Sequence, residues 1–308
     1  MTAHVSVLLQ ETVDAMVTDT DGLYVDCTLG RGGHTAYLLS LLGPGARVIG
    51  FDRDPDAIDA VRERFAGDHR FTAVHRPFAD LSETLDELGV SGQVDGVMAD
   101  LGVSSPQLDV AERGFSFQVD GPLDMRMDPS RGQSAAEWLA TVKHPDLARA
   151  LRTLGDEAHA SRIATAILEA RATAPIERTL QLASIVKAAH PRWEPGRHPA
   201  TKTFQAIRIA VNAELEQIDA VLPQILAVMK PGGRMAVISF HSLEDRRIKR
   251  FIRDQANPPG DPLGFLPQPP PRVKPLGKAI RPSAVEIDAN PRARSSVLRV
   301  AEKCAVSA

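Results

Sequence analysis

The chain has 308 residues, 43% of them hydrophobic and 24% charged, with a formal net charge of -3. That is enough apolar material for a sizeable core, excludes a disordered polyelectrolyte, and predicts one large domain or a domain carrying an insertion. No basic region followed by an apolar run opens the sequence, no apolar run reaches the roughly eighteen residues of a membrane span, and Cys27 and Cys304 stand outside any C-x-x-C pair. A signal peptide, a membrane anchor, a disulfide framework and a thiolate zinc site are therefore not expected, and the chain is expected in a reducing cytoplasm.

In chain order, the β-branched runs LYVDC, ARVIGFD, RFTAVH and VDGVMADL alternate with helical periodicity over the first hundred residues. Alternation of this kind predicts βαβ units and a parallel sheet covered on both faces. From Asp109 to Pro199 the rhythm becomes purely helical, with SAAEWLATV, DLARALRTLG, EAHASRIATAILEARA and RTLQLASIVKAA as the candidate helices. The stretch from Thr201 to Lys230 predicts one or two long helices broken at Pro223. KPGGRMAVISF returns to the sheet. The proline-rich segment from Asn257 to Pro275 predicts an irregular loop, and short strands are expected at Ala284 to Ile287 and at Ser296 to Glu302. The expected organisation is an α/β domain built from residues 1–108 and 200–308, interrupted by an all-helical domain over 109–199.

The turn in YVDCTLGRGGHTAYLL carries the first functional signal. Asp26 closes the first strand, Gly30, Gly32 and Gly33 follow, and His34 and Thr35 open a helix. A second strand ends in FDRDP, placing Asp52 where a carboxylate meets ribose hydroxyls in nucleotide-binding sheets. An ordinary tight turn and a strand-end acid are the plainer reading, weakened by the two occurring together. No G-K-[ST] follows, which argues against a triphosphate loop, and G-R-G-G departs from the dinucleotide pattern G-x-G-x-x-G. Phe78, just after the third strand, suits either a purine-facing aromatic or a core residue. Asp100 ends the fourth strand in ADLGVSSPQLD, where amino-group methyltransferases usually carry Asp or Asn, two prolines and an aromatic.

The charge is segregated. From Lys230 onward 15 Lys and Arg stand against 7 Asp and Glu, a net of +8, leaving -11 for the residues before it. Arg246, Arg247, Lys249 and Arg250 with Arg253, and Arg272, Lys274, Lys278 and Arg281, are candidates for phosphate contact; a solvated basic face explains them equally well. In SFHSLEDRR, His241, Ser242, Glu244 and Asp245 are candidates to border an acceptor pocket, while Ser242 with Asp245 also spells a helix-capping signature. ERGFSFQVDGPLDMRMD sets Phe115, Phe117, Met125, Arg126 and Met127 either along a base pocket or in packing between the two domains. The histidines lack metal-ligand spacing, so no metal is expected.

HVSVLLQETV, DCTLGRGGHT, GFDRDPDAI, DLGVSSPQLD, GPLDMRMD, ISFHSLEDRRIKRF and NPRARSSVLRVAE together resemble the bacterial 16S ribosomal RNA cytosine-N4 methyltransferase family, over nearly the whole chain. The resemblance implies a Rossmann-like class I methyltransferase sheet with an inserted helical domain serving substrate recognition. It implies S-adenosylmethionine as cofactor and, as substrate, the N4 amino group of cytidine 1402 of 16S rRNA within the small ribosomal subunit. It places cofactor contacts on Gly32, Gly33, His34, Asp52, Phe78, Asp100 and Gln107, to which the glycine-turn reading adds Asp26 and Gly30. For catalysis the chemistry asks for acceptors that orient the amine, with Asp100, Ser104, Ser105 and His241 as candidates. Arg126, Arg246, Arg247, Lys249 and Arg250 are candidates for RNA contact. A DNA or small-molecule amine methyltransferase, an NAD-dependent oxidoreductase and a catalytically silent assembly factor are the alternatives; monomer and homodimer stay open.

Overall fold

The computed structural model describes residues 6–191, 198–260 and 267–305. By the density of its internal contacts the chain divides into two compact units, residues 1–102 with 215–308, and 103–214.

The first unit opens with α1 (Leu9–Met16) and then alternates strand and helix: β1 (Leu23–Asp26), α2 (Gly33–Leu41), β2 (Arg47–Asp52), α3 (Pro55–Arg64), β3 (Phe71–His75), α4 (Leu81–Glu87) and β4 (Val94–Asp100). The buried strands β1 and β4 are mostly apolar because both of their faces are covered, and each ends in an aspartate. Local chemistry sets the helix starts. Asp54 accepts the N–H of Asp56 at 3.1 Å and Pro55 occupies the first position of α3.

The second unit holds α5 (Ser105–Asp109), α6 (Ala135–Thr141), α7 (His144–Leu154), α8 (Ala160–Thr173), α9 (Thr179–Ala189) and α10 (Ala200–Asn212). Ser134 and Glu137 form a reciprocal cap at the start of α6, with N–H to side-chain oxygen distances of 2.8 and 3.2 Å. One apolar cluster joins Leu147 and Leu151, Ile163 and Ile167, Leu182 and Val186, and Phe204 and Ile207. The helical unit thus extends beyond the expected 109–199 at both ends. The physical reason at its far end is that α10 presents Ala200, Phe204, Ala206 and Ile207 to the helical core.

After α10 the chain returns to the first unit through α11 (Glu214–Val228), β5 (Met229–Ser239), α12 (Ser242–Ala256), β6 (Val273–Pro275), α13 (Ala284–Ala289) and β7 (Val297–Lys303). The break between the long helices falls at Ala213, left-handed with φ 48°, and Pro223 is carried inside α11, contrary to the expected break at Pro223. One further expectation fails: Ala284 to Ile287 is helical, because Ser283 accepts the N–H of Glu286 and starts α13. The proline-rich segment is irregular over its described residues until Val273, where the short edge strand β6 begins.

The seven strands run in the order β3-β2-β1-β4-β5-β7-β6. Strands β1 to β5 are parallel; β7 pairs antiparallel with β5 and with β6. Asp26 is in register with Gly50 of β2 and Met98 of β4, so Asp52 and Asp100 each stand two residues beyond it at the same edge. Among the described residues no helix is long and apolar enough to cross a membrane.

Candidate active site

Three acids end three adjacent strands at the carboxyl edge of the sheet, the edge where ligands collect in open α/β folds. The loop after β1 is folded against all three. Asp26 takes the N–H of Thr28 at 3.0 Å and the hydroxyl of Thr35 at 2.7 Å. Asp52 takes the N–H groups of Gly30 at 2.8 Å and Asp54 at 2.9 Å, which ties the turn after β1 to the end of β2. The N–H of Asp100 donates to the Thr28 hydroxyl at 2.6 Å.

The glycines have distinct roles. Gly30 and Gly32 are left-handed, with φ 51° and 72°. A Cβ at Gly32 would stand 2.7 Å from the Phe65 ring, and one at Gly33 would collide with the Ser6 hydroxyl. At Gly32, therefore, the left-handed backbone and the Phe65 ring together demand glycine, whereas at Gly33 the obstacle is the end of a serine side chain that can turn away. His34 is buried, with Nε2 3.0 Å from the Val7 carbonyl, a partner that only an N–H can satisfy, and Nδ1 3.8 Å from Asp100.

Burial dominates the electrostatics. Desolvation, opposed by the Thr35 and Thr28 hydrogen bonds, pushes Asp26 up to about 6. Desolvation followed by repulsion from Asp26 and Glu244 pushes Asp100 up to about 8. Asp52 is raised chiefly by the same desolvation. Asp100 Oδ1 is buried and has no hydrogen-bond partner among the described residues. A cluster of desolvated acids with an open acceptor suits a ligand that brings positive charge and N–H or O–H donors.

The remaining sequence candidates divide between the two units. Phe78 begins a single 3-10 turn, Phe78–Asp80, and is half-buried directly after β3. His241 belongs to the first unit and is the N-cap of α12. Glu244 at the third position accepts the N–H groups of Phe240 and His241 at 2.8 and 3.2 Å, and its other oxygen lies 3.1 Å from His241 Nε2. The cap is thus His241, displacing the expected Ser242, which is exposed in the first turn.

Ser104, Ser105 and Gln107 belong to the helical unit, where Gln107 is buried and its carbonyl oxygen accepts the Ser104 N–H at 3.0 Å. Arg126 is committed to Asp124 through a two-point pair at 2.9 and 2.6 Å, and Arg247 binds Asp219 at 3.1 Å. Arg246, Lys249 and Arg250 share the exposed face of α12. Met125 is fully buried in the helical core, and Phe117 packs on His198 and Phe204 with ring centroids 4.6 and 4.7 Å away, so these two serve that core. Sequence reasoning gave no role to Thr28 or Ser6. The signal for Thr28 was a lone hydroxyl next to the strand-end acid and the glycine turn; Ser6 carried none.

A parallel sheet closed by an antiparallel β7, with a glycine turn after β1 and acids ending β1, β2 and β4, defines a Rossmann-like class I methyltransferase. The model of the MraW methylase family matches residues 1–304, and the chain belongs to that family. It is a methyltransferase whose methyl donor is S-adenosylmethionine. It is 54% identical over 305 residues to the ribosomal RNA small subunit methyltransferase H of Alteromonas mediterranea, covering 97% of both chains. It is equally 54% identical over 304 residues to the protein of the same name from Acinetobacter baylyi, covering 98% of this chain and 99% of that one.

Proposed function

We propose that this enzyme methylates the N4 amino group of a cytidine, position 1402, in the 16S rRNA of the small ribosomal subunit. The observation that carries the reading is the 54% identity, over nearly full length, to proteins named as small-subunit rRNA methyltransferases. When bound, S-adenosylmethionine supplies an electrophilic methyl group on a sulfonium sulfur. Asp52 holds the donor's ribose: each carboxylate oxygen accepts one backbone N–H and keeps a lone pair for a hydroxyl. Asp26, Gly30, Gly32, Gly33 and His34 hold the donor's amino-acid end, and Phe78 adds an aromatic contact. The open Oδ1 of Asp100 accepts an N–H of the cytosine amine and orients its lone pair for in-line attack, with His241 as a further candidate in the same unit to position the base.

A carbon-5 reaction would need a thiolate nucleophile. Cys27 is 1% exposed, and burial followed by repulsion from Asp26 drives its thiol far above the ordinary range, which keeps it inert. The helical unit, residues 103–214, serves substrate recognition, and the exposed α12 cations meet RNA phosphate. The cytoplasm is where such a substrate is met.

The test is methyl incorporation into purified small subunits that lack the mark, followed by nuclease digestion and mass mapping. One N4-methylcytidine is expected, lost in Asp100→Asn. Labelling of DNA or of a free amine in its place, or an unchanged modification map, contradicts the proposal.

A further inference from the structure

The first unit carries a concavity of about 230 Å³ between α12 and the β6–β7 edge. Ile252 and Val300, each 6% exposed, give it an apolar floor. Four of its lining residues are basic, Lys249, Arg253, Lys278 and Arg299, and none is acidic. Two of these charges are already answered: Arg299 makes a two-point pair with Asp245 at 2.6 and 3.0 Å, and Arg253 pairs with Asp254 at 2.7 Å. Lys249 and Lys278 have no ion-pair partner among the described residues. Two ammonium groups facing one cavity repel each other, and an anion between them turns that repulsion into attraction. The Asn257 side chain, also in the lining, adds an amide donor. Arg246 and Arg250 extend the positive surface along the exposed side of α12.

We infer that this cavity seats a backbone phosphodiester of the RNA substrate, held by Lys249 and Lys278 away from the strand-end acids. The inference rests on the rRNA reading above and adds to it a fixed anchoring point. A single seated phosphate positions the strand without reading its sequence.

The test compares wild type with the double variant Lys249→Gln, Lys278→Gln, and with Arg62→Gln as a control that removes an exposed cation from α3, beside β2 and β3. Binding of small-subunit RNA is measured across a potassium chloride series, and S-adenosylmethionine binding is measured on each protein to show that it is folded. The expected result is a slope of log affinity against log salt shallower by roughly 0.7 to 0.9 in the double variant, the share of one phosphate, with affinity several-fold weaker at low salt. Arg62→Gln should match wild type. A double variant that binds donor and keeps the wild-type slope and affinity for RNA overturns the anchoring site and leaves the rRNA reading standing. A wild type that binds donor but no RNA overturns both. Heat from inorganic phosphate that requires both lysines, with an unchanged RNA slope, assigns the cavity to the free anion and also overturns the inference.

Discussion

Replacing Asp100 by Asn should abolish methyl transfer and yet stabilise the protein in alkali. The Asp100 carboxyl is raised from 3.8 to about 8 by burial and by the acids Asp26 and Glu244, so the folded protein keeps a proton there that the unfolded chain gives up above about pH 4. Folding stability then falls as pH rises from about 4 to about 8, because over that window the native state binds more protons than the unfolded one. At about 1.4 kcal/mol per pKa unit the whole shift amounts to about 6 kcal/mol, of which about 4 falls between pH 5 and pH 8.5. The side chain retains 27% of its exposure, and solvent screening reduces that to about 2 kcal/mol. Asn keeps the shape and has no proton to lose. Urea unfolding of both proteins at pH 5 and pH 8.5 should therefore show the advantage of Asp100→Asn growing by about 2 kcal/mol over the interval. An advantage that stays constant, or a wild type that gains on the variant in alkali, would refute the account of Asp100 as a desolvated acid without a compensating partner.

Binding a cationic donor should draw the proton from Asp100, so calorimetry at pH 7 in buffers of different ionisation enthalpy should detect proton release, absent in Asp100→Asn, with donor affinity falling as pH drops below 8. In the glycine turn, Gly32→Ala combines a left-handed φ with a collision against Phe65 and should cost about 2–4 kcal/mol in urea unfolding. Gly30→Ala, where a Cβ meets open space, should cost only about 1 kcal/mol, and equal losses at the two positions would contradict the assigned packing role. Thr35→Val removes the hydroxyl donor from Asp26 and should destabilise by about 1–3 kcal/mol, the loss widening above pH 6 as that acid ionises; stability curves at pH 5 and pH 7.5 decide it.

Much of the fold was legible because its elements are locally determined. The runs ending in Asp26, Asp52 and Asp100 are strands in any context that buries both faces, and α6 to α9 declare themselves by apolar spacing. The failures arose where local signals competed. Pro223 looked like a breaker, but the turn at Ala213 had already separated the two helices and α11 absorbs the proline. AVEI looked like a strand, but the Ser283 cap nucleates a helix. At α12 the Ser242 signature was real and off by one residue, because the Glu244 side chain reaches the N–H groups of Phe240 and His241.

The sequence by itself determined the alternation of strands and helices, the glycine turn, the strand-end acids and the family. Only the tertiary structure decided what those residues do to one another. Parallel register carries Asp26, Asp52 and Asp100 to one sheet edge, and burial there strips water from them and shifts each toward its protonated form. It also decided which cations are committed to partners and which are free to meet an anion, since Arg126 and Lys249 look alike in a chain of letters and differ only in whether a carboxylate lies within reach. Periodicity is written residue by residue, whereas desolvation and pairing depend on atoms brought together from distant parts of the chain.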